Sequence, residues 1–123
     1  MRFACLVYFD ERKLESLSER ELGAMMGDCA AWVGDLERGG HHVSSVGLET
    51  TRTSTTVRSG HDGKLSITDG PFAETKEQLG GLTIIEARDL DEALKIAGKL
   101  PGVRLGCVEV RPVAPTHADG SDR

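Results

Sequence analysis

The stretch that decides the fold is Asp69-Gly70-Pro71-Phe72-Ala73-Glu74-Thr75-Lys76-Glu77-Gln78-Leu79-Gly80-Gly81. Asp-Gly followed by Pro is turn chemistry: Asp bonds to nearby backbone, Gly tolerates unusual dihedrals, and Pro presets φ. A plain surface turn needs no more than that. This run adds Phe72 as an expected aromatic anchor, charges at Glu74, Lys76 and Glu77, and a closing glycine pair. Beyond it, residues 82–87 are an apolar strand entered through Gly80-Gly81. Before it, residues 53–58 and 64–68 alternate around Gly60-His61-Asp62-Gly63, which predicts a β-hairpin. The hairpin is rich in Thr and Ser and poor in large apolar groups. It is therefore expected at an edge, a cleft rim or a partner contact, not in the core.

Working outward, residues 3–9 form a nearly continuous apolar run that suits a strand covered on both faces, and Asp10-Glu11 stops it. Ser18 with Glu21 three residues on is a capping box that opens a helix. Leu22, Met25, Met26, Cys29, Trp32, Val33 and Leu36 then recur at spacings of three and four as one apolar stripe, and Gly39-Gly40 ends the helix. Residues 41–48 read as a second strand. Asp89 caps a second helix with Glu92 in its first turn, and Ala93, Leu94, Ala97 and Leu100 form its apolar face. Pro101-Gly102 ends that helix, residues 103–110 form the last strand, and Pro112 stops it. With the hairpin set aside, the order is βαββαβ, so the fold class is α+β, ferredoxin-like, with an inserted hairpin. One domain covers residues 1–112, and residues 113–123 are expected to be a flexible C-terminal tail.

Both helices of such a domain cover one sheet face. Residues 3–9 and 82–87 are apolar on both faces, and no third helix is foreseen to cover the other. A second copy, sheet against sheet as a dimeric α+β barrel, answers that need; the alternative is a monomer with a wet, moderately apolar sheet. A chain of 123 residues can bury a core unaided, and aromatics at 4% leave the filling to aliphatic residues. A net charge of −5 argues against nucleic-acid binding. No run reaches the length of a membrane span or a signal peptide. Cys5, Cys29 and Cys107 are odd in number and widely spaced within apolar patterns, which points to free thiols and a cytoplasmic location.

The candidate ligand-binding residues are Asp69, Phe72, Glu74, Lys76 and Tyr8. Asp69, Glu74 and Lys76 offer acid, base and cation to a small polar ligand. Against that stand backbone capping by Asp69, a core plug at Phe72, and a solvated ion cluster of Lys76 with Glu74 and Glu77. Tyr8, at the end of the first strand, either presents its hydroxyl to the cleft or sits on its rim. Trp32 reads as core. His41 and His42 are adjacent in a strand, so they point to opposite faces and share no ion; His61 lies in a turn. No Cys or His spacing suggests a metal, and no phosphate loop, nucleophile elbow or dinucleotide fingerprint suggests a cofactor. Neither metal nor cofactor is expected.

The run from Asp69 to Gly81 closely resembles the signature of the YCII-related family, in the branch named for its Asp-Gly-Pro-Phe motif. The resemblance extends over residues 2–112 and implies the same dimeric barrel. Some related proteins that resemble enzymes pair a histidine on the first helix with an aspartate. The helix opening at Ser18 contains no histidine, so that mechanism does not carry over, and neither Asp28 nor Cys29 inherits its role. The resemblance implies two functions: a homodimeric small-molecule-binding protein or enzyme with a polar cleft near the signature loop, or a non-catalytic accessory protein linked to an alternative sigma factor. The residues name no catalytic group.

Overall fold

In the computed structural model, which describes residues 1–115, the first apolar run lies in strand β1 (Arg2–Asp10). Most of the tail expected from residue 113 lies outside the described residues. The chain continues as α1 (Glu11–Glu15), α2 (Glu19–Arg38), β2 (His42–Gly47), β3 (Thr55–Ser59), β4 (Leu65–Asp69), β5 (Glu77–Glu86), α3 (Leu90–Ala97) and β6 (Gly106–Pro112). Short 3-10 turns lie at Thr51–Thr53 and Pro101–Leu105. Four strands form one antiparallel sheet in the order β2-β5-β1-β6, and β3 and β4 pair only with each other. The fold is α+β, and its sheets are open, with no closed barrel among the described residues.

Alternation along β1 sorts the two faces. Phe3, Cys5 and Val7 are buried and meet Ile85, Trp32, Leu36, Ala93 and Ala97 beneath the helices. Trp32 is core, as expected, and its indole N–H donates to the Ile96 carbonyl at 3.1 Å, joining α2 to the end of α3. The opposite face presents Ala4, Leu6, Leu82 and Ile84, all half-buried, beside Val46, which is 50% exposed. On its β6 side lie Cys107, Glu109 and Arg111, paired with Tyr8, Leu6 and Ala4. No described element covers this face.

The predicted helix starts hold. Ser18 and Glu21 form both bonds of the capping box, and Asp89 accepts from the Glu92 amide at 2.9 Å. The apolar stripe of α2 is buried only at Trp32 and Leu36; Leu22 and Met26 are exposed because the first turns of α2 extend past the sheet. On α3, Leu94 is exposed and Ile96 packs on the core instead. Residues 103–105 belong to the second 3-10 turn, so the last strand starts at Gly106, later than its sequence suggests. Cys5 pairs with Val110, and Cys107 pairs with Tyr8 on the other face, so the first and last strands keep these thiols apart.

The strand after the signature run begins at Glu77, not at residue 82. It contains a β-bulge: Val7 pairs with Gly81 and Tyr8 with Leu79, leaving Gly80 as the extra residue. A Cβ at Gly80 would collide with the Phe9 ring, whose other edge is backed by Gly102. The glycine pair therefore lets an aromatic lie flat on the strand next to the end of β1, where the cleft begins.

Candidate functional site

At the C-terminal end of β1 the chain turns directly into α1. Asp10, only 8% exposed, supports that turn by accepting from the Arg12 backbone N–H at 3.0 Å. The next residue, Glu11, accepts from both the backbone N–H and the hydroxyl of Thr51, at 2.8 and 2.7 Å. Glu15 pairs with Arg52. These contacts join α1 to the 3-10 turn at Thr51–Thr53 and build one wall of a cleft of about 880 Å³. The signature loop, with Asp69, Gly70, Pro71, Glu74, Thr75 and Lys76, forms the opposite wall, and Gln78 closes the lining.

The backbone of that loop is tied down from both sides. The Gln78 amide donates to the Ala73 and Thr75 carbonyls at 3.0 and 3.3 Å. Arg58 of β3 donates to the Phe72 carbonyl at 3.0 Å. Gly70, with φ of 105°, makes the turn that a side chain would strain; its N–H reaches the Ser54 carbonyl at 2.8 Å, and its own carbonyl accepts from the Thr56 hydroxyl at 2.7 Å. Almost every loop contact thus goes to backbone. The side chains of Asp69, Glu74 and Lys76 form no ion pair or hydrogen bond among the described residues, and neither does the Arg12 guanidinium.

Of the predicted site residues, the structure brings Asp69, Glu74 and Lys76 to one cleft. It places Tyr8 on the open sheet face, where its hydroxyl meets Glu109 at 3.4 Å, away from the cleft. Phe72 is no plug: it is 74% exposed, and only its backbone carbonyl is held, by Arg58. Asp69 does not cap the turn; the hairpin strand β3 supplies those bonds. Glu77 leaves the expected ion cluster for β6, with its carboxylate 3.7 Å from the Cys107 sulfur.

That neighbour raises the Cys107 thiol pKa, after the larger effect of desolvation. Burial pushes Cys5 up to about 11. His41 and His42 serve the strand edge, through the Glu86 carbonyl at 2.8 Å and the Ser45 hydroxyl at 2.9 Å. Among the described residues no group of three or more His, Cys, Asp or Glu is arranged to hold a metal ion, and no helix is long and apolar enough to cross a membrane.

Sequence reading missed the wall made by Asp10, Glu11, Arg12, Glu15, Thr51 and Arg52. It took Asp10-Glu11 only as a strand stop. The available signal was Glu11 and Glu15 at i,i+4 spacing just after the strand, on one face of a short helix.

The site therefore belongs to a small α+β domain whose cleft lies at the end of a central strand. The model of the YCII-related domain matches residues 1–117, so this chain belongs to the YCII-related family. It is 37% identical over 116 residues to an uncharacterized protein of Rhizobium meliloti (strain 1021), covering 93% of each chain.

Proposed function

We propose that this protein binds a small polar, charge-bearing ligand in the cleft between α1 and the signature loop. One observation supports this reading: a loop whose backbone is fastened at both ends carries Asp69, Glu74 and Lys76 into an 880 Å³ cleft without partners for their charges. Charges serving only the fold would have partners, as Glu11 has in the Thr51 N–H and hydroxyl and Glu15 has in Arg52. That contrast favours binding over a purely accessory role. The cleft holds five carboxylates and three cations, so the ligand's own charge decides how it lies.

The strand order β2-β5-β1-β6 supports a ferredoxin-like split βαβ core with β3 and β4 as its insertion. Asp69 to Phe72 supports the Asp-Gly-Pro-Phe branch. The uncovered apolar centre of the sheet, from Leu6 to Ile84, supports a homodimer built on that face. Free thiols at Cys5, Cys29 and Cys107 support a reducing, cytoplasmic setting.

The test is a nuclear magnetic resonance titration with a library of small charged metabolites. Binders should shift the amides of Arg12, Thr51 and residues 72–78, and Lys76→Met with Glu74→Gln should weaken them at least tenfold. A library whose binders leave those amides unmoved would refute the reading.

A further inference from the structure

The arm formed by β3 and β4 has no sheet neighbour, and nine of its ten strand residues are exposed, Thr56 alone being half-buried. A two-stranded ribbon standing alone in water is marginally stable at best. Its pairing sets Val57 opposite Ile67 and Ser59 opposite Leu65, so the large aliphatic residues share one face. They are 58%, 71% and 68% exposed for Val57, Ile67 and Leu65. Asp69, two residues past Ile67, lies on that same face and also lines the cleft. The arm's apolar face therefore runs into the cleft wall, with exposed Phe72 at the next turn of the chain.

We infer that a second copy of this chain seats on the arm and forms the missing outer wall of the cleft. The inference rests on the homodimer and the binding cleft proposed above, and adds what the arm does for both. The occupant follows from what else the chain exposes. Among the described residues another uncovered apolar surface, and the one formed by paired strands, is the open sheet face around Leu6, Leu82 and Val46. One arm is too small by itself for the roughly 800 Å² per partner that a stable interface buries. A two-fold pair uses arm and sheet face on both copies, and so buries each surface twice. A partner lying along Ile67 then stands over Asp69, next to the side chains of Glu74 and Lys76 that this chain leaves in solvent.

The experiment compares the full chain with Val57→Glu/Ile67→Lys by sedimentation equilibrium and hydrogen exchange. The two positions face each other across the ribbon, so opposite charges preserve the pairing while removing the apolar face. Circular dichroism checks that the fold is kept, and Leu65→Ser serves as a milder second variant. The parent should be a dimer, and both variants should raise its dissociation constant, the paired one at least tenfold. Amides of residues 72–76 should exchange several-fold faster in the variant than in the parent dimer. A variant dimer as tight as the parent overturns the arm's role and leaves the homodimer standing. Unchanged exchange at residues 72–76 overturns the shared wall alone. A parent that is monomeric at all concentrations overturns both.

Discussion

Phe3 and Phe72 are the same residue in opposite circumstances, and each stands for its half of the molecule. Phe3 is 1% exposed, at the centre of the helix-covered core; Phe72 is 74% exposed, at the lip of the cleft. Around Phe3, side chains carry the contacts, with Ile85, Trp32 and Leu36 packed against β1. Around Phe72, backbone carries them, through Arg58, Gln78 and Thr56. One half is held by burial. The other is held by hydrogen bonds that leave its charged and aromatic side chains available. Stability and the proposed ligand site are thus separated in space.

The strongest test of that contrast is truncation. Phe3→Ala should cost about 3–5 kcal/mol in denaturant unfolding, the range for a buried aromatic. Phe72→Ala should change protomer stability by no more than ~0.5 kcal/mol, as a surface change does, with its effect in association instead. Equal losses at the two positions would erase the distinction.

Gly80→Ala probes the seam between the halves. Its new methyl would collide with the Phe9 ring, so the ring or the strand must shift. Overpacking of this kind costs about 1–3 kcal/mol, and thermal unfolding reads it. A neutral result would show that the ring moves freely and that the bulge does not position the end of β1.

Ser18→Ala should cost about 1 kcal/mol through loss of the α2 cap. Glu21 sharpens the test, because its bonds to Ser18 lower its pKa below the ordinary carboxyl value. A lowered folded pKa means stabilisation present above the unfolded pKa and lost as pH falls through the folded one. The difference between the parent and Glu21→Gln in urea unfolding should therefore shrink in acid, since the Ser18 backbone N–H is the main donor to that carboxylate; a difference constant down to that range would deny the capping box its charge.

The smallest effect concerns Cys107, exposed yet raised in pKa by desolvation and then by Glu77. Its alkylation near neutral pH should be slower than that of a free thiol, because only the thiolate reacts. Glu77→Gln should speed it severalfold or less by removing the like charge. No acceleration would mean that the 3.7 Å approach has no electrostatic consequence.

Much of the covered half was legible from residue order. The capping box at Ser18, the cap at Asp89, the Trp32 position and the hairpin turn at residues 60–63 all depend on neighbours within a few positions. Errors arose where burial depends on partners distant in sequence. Leu22, Met26 and Leu94 continue an apolar periodicity yet are exposed; on α3 the buried face runs instead through Ala93, Ile96 and Ala97. Residues 103–105 look like strand, yet they lie in the 3-10 turn that buries Pro101, Gly102 and Leu105. Asp69, Glu74 and Lys76 were recognisable as a group because eight positions hold all three. Tyr8 was misplaced because a strand's period tells which residues share a face, not which face meets the cleft.

The sequence by itself determined the element types and most of their starts, since caps, turns and alternation are local physics. Only the tertiary structure decided that Glu11 would reach across 40 residues to Thr51, that Asp10 would be buried at the cleft's edge, and that Phe72 would face outward. Those outcomes turn on which surfaces meet when β1 pairs with β5 and the loop is fastened to β3. Such meetings are settled by burial and hydrogen bonding summed over the whole chain, which no window of neighbouring residues contains.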